Sequence, residues 1–232
     1  MFILETESSI ASDSLDHIKP SGASTDLFSY SKNRWTSWYD NLLRVCREKT
    51  GKQDISILDL GCAGGSNIEW LLETGITAVG LEGTPHAKKT TAWKNLEDTN
   101  LFLADITKPF QIKKDNIDCK FDCITSMEVL EHIECSKLPI VLKNMSNHLE
   151  KKGILFFTIG MDMSDKRHVC IQDYTKWLDV FGAAGFCVMT DIVENPYFGW
   201  DKSLGSPKQH RKADHESCLG GFESLLFCLQ RK

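Results

Sequence analysis

Three acidic residues recur at equal intervals along the chain, and a glycine-rich stretch follows the first of them. Asp59 precedes residues 61–65, and Glu82 and Asp105 come later. Small residues at a turn let the backbone approach a ligand closely, and free amides at the start of a helix favour anionic or polar groups. A carboxylate at position 82 can accept from both hydroxyls of an adenosine ribose, and one at position 105 from an adenine amino group. The pattern predicts a nucleoside-binding crevice.

A second chemically rich segment contains Glu128, Glu131 and His132. If a helix begins there, the three side chains share one face and can bind a divalent ion such as Mg²⁺, Mn²⁺ or Zn²⁺. In the alternative interpretation the segment packs a helix on a sheet, Glu128 lines the ligand pocket, and His132 only makes hydrogen bonds. His168 is a candidate general base or a fourth metal ligand, or a residue that caps the following helix. Glu128, His132 and His168 are the candidate catalytic residues.

Short apolar runs alternate with helical patterns and must position these side chains. Strands are predicted at residues 55–60, 77–82, 101–104, 121–126, 154–159, 186–193 and 223–229. Helices are predicted from Ser31 to Gly51, after a capping Ser66, from Pro85, near 138–149 and at 172–184. This alternation predicts an α/β fold with a mostly parallel sheet and helices on both faces. The last two strands lack a strong helical pattern between them, so the last strand is expected to be antiparallel.

Composition narrows the class of protein. The net charge is −5, which argues against a surface that coats DNA or RNA. No apolar run is long enough for a membrane span, and the N-terminus lacks the basic flank of a signal peptide. The nine cysteines include no C-x-x-C pair and are interpreted as reduced, mostly buried thiols of a cytoplasmic protein. We expect a flexible arm over residues 1–30 and a single domain over 31–232.

Four segments resemble the motifs of class I S-adenosylmethionine-dependent methyltransferases, in the right order. They are residues 59–65, Glu82, residues 104–106 and residues 121–133, and the resemblance extends from about residue 31 to 229. It implies a Rossmann-like, seven-stranded, mostly parallel sheet with an antiparallel last strand. The chain departs from the usual loop at Ala63, where the family has a second glycine. A dinucleotide dehydrogenase is the competing interpretation, but the loop lacks the G-x-G-x-x-G spacing.

The resemblance also implies a cofactor, S-adenosylmethionine, and residues that contact it. The implied cofactor-binding residues are Arg34, Asp59, Gly61, Cys62, Ala63, Gly64, Glu82, Gly83, Asp105, Ile106 and Met127. The candidate substrate-binding residues are Trp35, Tyr39 and Tyr197. Ubiquinone-pathway O-methyltransferases and small-RNA 2′-O-methyltransferases resemble the chain at the candidate metal ligands Glu128, Glu131 and His132, which suggests a divalent ion such as Mg²⁺.

These features favour methyl transfer to a small-molecule acceptor, at an oxygen atom, by in-line displacement. The chain has no adjacent prolines and no Pro-Cys pair, so two signatures of methylases acting on amino groups and on cytosine C5 are absent. An RNA-directed methyltransferase, acting at a 2′-oxygen or a modified base, and a cofactor-binding pseudoenzyme that serves as a scaffold are the alternatives. We expect a monomer or homodimer without a membrane partner.

Overall fold

The computed structural model describes residues 1–12, 32–190 and 224–232, and for residues 32–38 it describes the backbone alone. The strands are β1 (Phe2–Thr6), β2 (Ser56–Leu60), β3 (Thr77–Glu82), β4 (Leu101–Leu103), β5 (Phe110–Lys114), β6 (Ile117–Asp118), β7 (Phe121–Met127), β8 (Leu149–Gly160), β9 (Phe186–Val188) and β10 (Ser224–Arg231). The helices are α1 (Lys32–Thr50), α2 (Ser66–Glu73), α3 (Thr91–Leu96), α4 (Leu138–His148) and α5 (Tyr174–Ala183). In this part of the chain no helix is both long and apolar enough to cross a membrane.

Seven strands form the central sheet in the order β4-β3-β2-β7-β8-β10-β9. Neighbouring strands from β4 to β8 pair in parallel, and β10 runs antiparallel to both β8 and β9. This confirms the predicted α/β class and the antiparallel last strand. Because β2, β3, β7 and β8 are all parallel, their carboxyl ends meet at one edge of the sheet, where ligands bind in open α/β folds.

Alternate residues of each central strand face opposite sides of the sheet, and both sides are covered. On β2, Ile57 packs in the core formed with α1 and α2, whereas Leu58 packs in the core formed with α4 and α5. Both side chains are fully buried. The continuous apolar run over β2 is therefore the consequence of a strand with helices on both faces.

The start of α2 differs from the prediction that Ser66 caps it. Gly65 occupies the cap position with a φ of 77°, no side chain makes a capping hydrogen bond, and Ser66 is the first helical residue. A Cβ on Gly65 would lie 2.5 Å from Leu101 Cδ1. The left-handed backbone and the close approach of β4 both require glycine, so the turn is decided by packing against a neighbouring strand rather than by a capping side chain.

The prediction of a flexible arm is wrong for its first residues. Residues Phe2–Thr6 form β1, which pairs antiparallel with β5 in a separate three-stranded sheet of order β1-β5-β6. The Phe2 ring packs 6.5 Å from the Phe121 ring. The apolar run at the N-terminus was too short to identify a strand until its partner β5 was known. Residues 13–31 lie outside the described residues.

The prediction of fully reduced cysteines is also wrong at one pair. Cys135 and Cys170 form a disulfide across a sequence separation of 35 residues. Within the described chain, no disulfide is formed by Cys46, Cys62, Cys119, Cys123, Cys187 or Cys228. Spacing along the sequence did not reveal the bonded pair because folding brings two distant turns together.

His148, the last residue of α4, joins the small sheet to the main core. Its Nε2 accepts from Ile112 N at 3.1 Å, and its Nδ1 donates to Asn144 O at 2.8 Å. The ring is fully buried and stacks 4.6 Å from the Phe110 ring. Burial lowers the pKa of His148 because the interior disfavours the imidazolium. Protonation would also remove the Nε2 lone pair that accepts from Ile112.

We expect His148 to make the fold sensitive to acid. The unfolded chain binds the proton near pH 6.5, whereas the folded chain binds it only at lower pH, so the contribution of His148 to the free energy of unfolding is lost as pH falls below about 6.5. Urea unfolding at pH 7.5 and 5.5 tests this: the stability difference between wild type and His148→Gln should shrink at the lower pH. Asn147→Gln, an exposed neighbour, is the control. An equal difference at both pH values would contradict the assignment.

Candidate functional site

The loop between β2 and α2 turns sharply at Gly61. Gly61 N and Cys62 N both donate to Leu81 O, at 2.8 and 3.1 Å, which ties the loop to β3. Gly61 has a φ of 82°, and a Cβ there would lie 2.3 Å from Val129 Cγ2. Only glycine fits this position, and the loop therefore lies directly against the segment that follows β7.

Glu82, the last residue of β3, holds two turns at once. Its Oε2 accepts from Ala63 N at 2.8 Å, and its Oε1 accepts from Gly83 N at 2.8 Å and from Thr84 N at 3.2 Å. Burial raises the pKa of Glu82, and the three amides oppose that shift by favouring the carboxylate. A carboxylate has about four acceptor positions, so roughly one remains for a ligand hydroxyl.

Asp59 is the second buried acid beside the loop. Asp59 is only 3% exposed, and its Oδ1 accepts a hydrogen bond from Thr125 Oγ1 at 2.7 Å. Burial raises the pKa of Asp59 to about 6; the nearby Glu82 charge adds to this, and the Thr125 hydrogen bond opposes it. Two neighbouring buried carboxyls with raised pKa values create a site that favours a positively charged ligand.

Side chains from α3 and the turn before it support the loop from outside. Thr90 Oγ1 donates to Gly64 O at 2.7 Å, and Trp93 Nε1 donates to Ala63 O at 2.8 Å. Ala63 needs such support because its φ is 46°, in the left-handed region. No sequence pattern had indicated Thr90 and Trp93, because a polar and an aromatic residue in a short helical pattern are not a distinctive signal.

Cys62 belongs to the core rather than to an exposed lining. Its residue is 6% exposed, and a Cβ on Gly80 of β3 would lie 2.7 Å from Cys62 Sγ. Its backbone contributes to the loop, but its side chain packs beneath it. The implied contact of Cys62 with a cofactor is therefore restricted to backbone atoms.

The N-terminal segment reaches the same edge of the sheet. Asp105 N donates to Ser8 O at 2.9 Å, and Ala11 N donates to Gly83 O at 2.8 Å. Asp105 Oδ1 accepts from Thr107 N and Thr107 Oγ1, at 2.9 and 2.7 Å. These two bonds to Thr107 use Oδ1 of Asp105 and not Oδ2. The turn at Asp105 is held by Thr107 on one side and by Ser8 on the other.

Two further residues that the resemblance implied as cofactor contacts differ in exposure. Ile106 follows Asp105 and is 8% exposed, so it presents little surface. Met127 ends β7 and is half-buried. The structure therefore brings the glycine loop, Glu82 and Asp105 to the carboxyl ends of β2, β3 and β4, as their spacing predicted, and Gly83 and Met127, which the resemblance implied, lie at the ends of β3 and β7.

A second group of polar side chains surrounds Gly160, the last residue of β8. Glu131 Oε1 accepts from Gly160 N at 2.8 Å. A Cβ on Gly160 would lie 2.6 Å from Glu131 Oε1, 2.7 Å from Glu128 Oε2 and 3.0 Å from His168 Cε1. Glycine at this position is what allows two carboxylates and an imidazole to converge, and no sequence pattern had singled it out.

The α-helix on which Glu128, Glu131 and His132 would have shared one face does not form. Glu128 has a φ of 56°, and only a 3-10 turn, Leu130–His132, follows. The atoms that could bind a metal in Glu131, His132 and His168 lie within 4.8 Å of one another. His168 therefore takes the place predicted for Glu128 as the third member, and Glu128 approaches from the exposed side. We call Glu128, Glu131, His132 and His168 the carboxylate–histidine cluster.

The cluster contains buried polar atoms without partners. Among the described residues, Glu131 Oε2 and His168 Nδ1 are buried and make no hydrogen bond. His132 Nδ1 donates to Arg167 O at 3.1 Å, which places the acceptor lone pair of that ring on Nε2. The His132 and His168 rings meet edge to face, 4.8 Å apart. Burial, and secondarily the charge of Glu128, raises the pKa of Glu131.

His168 is held by the loop between β8 and α5. Its Nε2 lies 3.9 Å from Asp165 Oδ2. Arg167 bonds to the same carboxylate and holds the pKa of Asp165 well below its usual range. His168 thus lies between β8 and α5, close to Gly160 at the carboxyl end of β8.

The predicted substrate-binding residues are placed differently or not described. Tyr39 is 1% exposed and its ring lies 5.9 Å from that of Trp70 in the core, so the expectation that it faces a substrate is wrong. Burial and the charge of Asp59 raise the pKa of its hydroxyl. The backbone of Arg34 and Trp35 lies in α1, but their side chains, and all of Tyr197, lie outside the described residues.

Known proteins similar to the chain agree with this architecture. A curated relative, the ubiquinone biosynthesis O-methyltransferase of Pelagibacter ubique (strain HTCC1062), is 24% identical over 140 residues, covering 59% of this chain and 56% of the relative. The chain thus spans about half the length of that relative.

Two solved structures share the fold. An S-adenosylmethionine-dependent methyltransferase from Clostridium acetobutylicum ATCC 824 has a TM-score of 0.57 and 15% identity, covering 85% of this chain and 92% of that one. The 1,6-didemethyltoxoflavin-N1-methyltransferase of Burkholderia thailandensis has a TM-score of 0.55 and 10% identity, covering 86% and 80%. Residues 29–190 match the family described as methyltransferase domain. The chain, whose sheet order and glycine loop suit that match, belongs to the methyltransferase-domain family.

Proposed function

We propose that the chain transfers the methyl group of S-adenosylmethionine to an oxygen atom of a small acceptor. The observation that carries this proposal is the adjacency of two sites at one edge of the sheet. Val129 packs against Gly61 of the glycine loop (residues 61–65), which we call the nucleoside loop. The neighbour of Val129, Glu128, belongs to the carboxylate–histidine cluster. A donor on the loop and an acceptor at the cluster would lie side by side, as in-line transfer requires.

The nucleoside side of the site suits a cationic donor. S-adenosylmethionine carries its methyl group on a positively charged sulfur, which makes the carbon electrophilic. Asp59 and Glu82 supply negative charge beneath the loop, and Gly61 leaves room for close approach of the ligand to the backbone. In this proposal Glu82 accepts from a ribose hydroxyl with its remaining position, and Asp105 accepts from the adenine amino group.

The cluster suits activation of an acceptor hydroxyl. Glu131 Oε2 and His168 Nδ1 are buried atoms that lack partners, and either can receive a proton or approach a cation. The donor set of imidazole nitrogens and carboxylate oxygens fits Mn²⁺, Mg²⁺ or Zn²⁺, with Glu131, His132 and His168 as ligands. A bound divalent ion would lower the pKa of a hydroxyl group. His168 would act as general base or ligand.

Proteins similar to the chain are named for different acceptor atoms, so the acceptor atom of this chain has to be tested. The Pelagibacter relative is named as an O-methyltransferase and the Burkholderia neighbour as an N1-methyltransferase. Oxygen is favoured for this chain because a carboxylate–histidine cluster can remove the proton that a hydroxyl acceptor must lose. The net charge of −5 favours a small acceptor over RNA.

Donor binding should depend on the charge of Asp59. Its pKa of about 6 means that the carboxylate protonates as pH falls through 6. We expect the affinity for S-adenosylmethionine to fall about tenfold between pH 7 and pH 5, and that for the uncharged sulfur of S-adenosylhomocysteine to fall less. Calorimetric titration at both pH values, with NADH as a negative control, measures this.

Asp59→Asn should bind S-adenosylmethionine weakly at both pH values, because the negative charge is absent throughout. Asp118→Asn, an exposed acid on β6, is the matched control and should behave as the wild type. The donor assignment would be refuted if the folded wild type bound NADH. It would also be refuted if the folded wild type bound neither S-adenosylmethionine nor S-adenosylhomocysteine.

Cation binding should depend on Glu131. Glu131→Gln retains an oxygen that can accept from Gly160 N but loses the charge, so we expect divalent-ion affinity to fall at least about tenfold. Calorimetric titrations with Mn²⁺, Mg²⁺ and Zn²⁺ test this, with Glu134→Gln on the adjacent exposed turn as control. If wild type takes up none of the three ions, the cluster holds no cation and the cation part of the proposal fails.

The acceptor atom can be assigned with pairs of small acceptors that differ only in bearing a hydroxyl or an amino group. With methyl-labelled S-adenosylmethionine, the label should appear in hydroxyl members and decrease when EDTA is added. A structured RNA pool is included as a third arm. Label confined to amino compounds or to RNA would overturn the proposal, and donor binding without transfer in any arm would favour the scaffold alternative.

A further inference from the structure

One covalent bond connects the two chain segments that build the carboxylate–histidine cluster. Cys135 follows Glu131 and His132 after a short turn, and Cys170 follows His168 by two residues; the two cysteines are bonded. Val169 N and Cys170 N also donate to Glu131 O, at 2.8 and 3.0 Å. The disulfide therefore lies behind the cluster and limits how far His168 can move from Glu131.

The two sulfur atoms differ in access. Cys135 is exposed, whereas Cys170 is only 1% exposed. Gln172 Nε2 donates to Cys170 Sγ at 3.3 Å. An attacking thiolate can therefore reach Cys135 Sγ, and the sulfur that leaves, that of Cys170, already has an amide donor to stabilise its negative charge.

We propose that Cys135–Cys170 is a thiol–disulfide exchange site for a dithiol reductant, and that its reduction releases the loop carrying His168 from Glu131. One thiolate of the reductant attacks Cys135 Sγ, the S–S bond breaks, and Cys170 leaves as a thiolate that takes up a proton. The second thiol of the reductant then displaces Cys135, which leaves with a proton. The reductant is oxidised to its disulfide and the protein gains two electrons and two protons.

Release of the loop changes the cluster because His168 has few other restraints. Among the described residues, its Nε2 lies 3.9 Å from Asp165 of the same loop, and its ring meets the His132 ring edge to face at 4.8 Å. After reduction the hydrogen bonds from Val169 N and Cys170 N to Glu131 O hold the loop without the covalent bond, so they open more often. In the proposed function, which this consequence rests on, reduction weakens the hold of the cluster on a divalent ion.

Reduction and loop release can be measured without activity. The wild type is kept oxidised or treated with dithiothreitol, freed of reductant under anaerobic conditions, and alkylated with iodoacetamide; peptide mass spectrometry then reports Cys135 and Cys170. Hydrogen–deuterium exchange of peptides covering residues 162–172 reports the amides of Val169 and Cys170. Mn²⁺ titration of the same samples reports the cluster.

Two variants make the comparison specific. Cys135→Ser cannot form the disulfide and changes an exposed position, so it should match the reduced wild type and respond no further to dithiothreitol. Cys187→Ser removes an exposed free thiol of β9 and should match the wild type in both states. We expect exchange at residues 169 and 170 to be roughly tenfold faster, and Mn²⁺ affinity roughly tenfold lower, once the bond is absent.

Alkylation of Cys135 and Cys170 without reductant would overturn the proposal, and so would unchanged exchange after proven reduction. Faster exchange in a protein that binds Mn²⁺ in neither state would support the exchange site and refute the cation part of the proposed function instead. The two failures are therefore distinguishable.

Discussion

The carboxylate of Glu82 is the interaction on which the nucleoside side of this site depends. It accepts from the amide of Ala63 after β2 and from those of Gly83 and Thr84 after β3. A buried carboxylate is unfavourable unless donors surround it, and these amides supply them. Through these hydrogen bonds Glu82 fixes the distance between the turn at Ala63 and the turn at Gly83 and Thr84. The turn after β2 needs this support because Ala63 adopts a left-handed backbone that a non-glycine residue disfavours.

Two glycines set the distance between the two halves of the site, the nucleoside loop and the carboxylate–histidine cluster. Gly61 admits Val129 against the nucleoside loop, and Gly160 admits Glu131 and His168 at the end of β8. The segment after β7 therefore lies between the ends of β2 and β8. Its side chains contact the nucleoside loop through Val129 and Gly160 through Glu131. A methyl group on Gly61 would clash with Val129 at a backbone conformation that favours glycine, and one on Gly160 would displace the carboxylates of Glu128 and Glu131 from the end of β8.

Segments distant in sequence complete the site from outside the central sheet. The N-terminal strand β1 leads to Ser8 and Ala11, whose backbones bond to Asp105 and Gly83. On the other side, the Cys135–Cys170 disulfide joins the turn after Glu131 to the loop before α5. The central sheet positions the acids, and these two additions limit how the surrounding loops can move.

The sequence by itself determined the α/β class, the antiparallel last strand and the acids at successive strand ends, because these follow from local periodicity and from the residues that end each strand. It did not determine β1, since a short strand needs a partner, nor the disulfide or Gly160, since neither has a local signal. It also misassigned Tyr39, which burial removes from any surface. The membership of His168 in the cluster was decided only by tertiary structure, because it depends on how two distant loops pack at the end of β8.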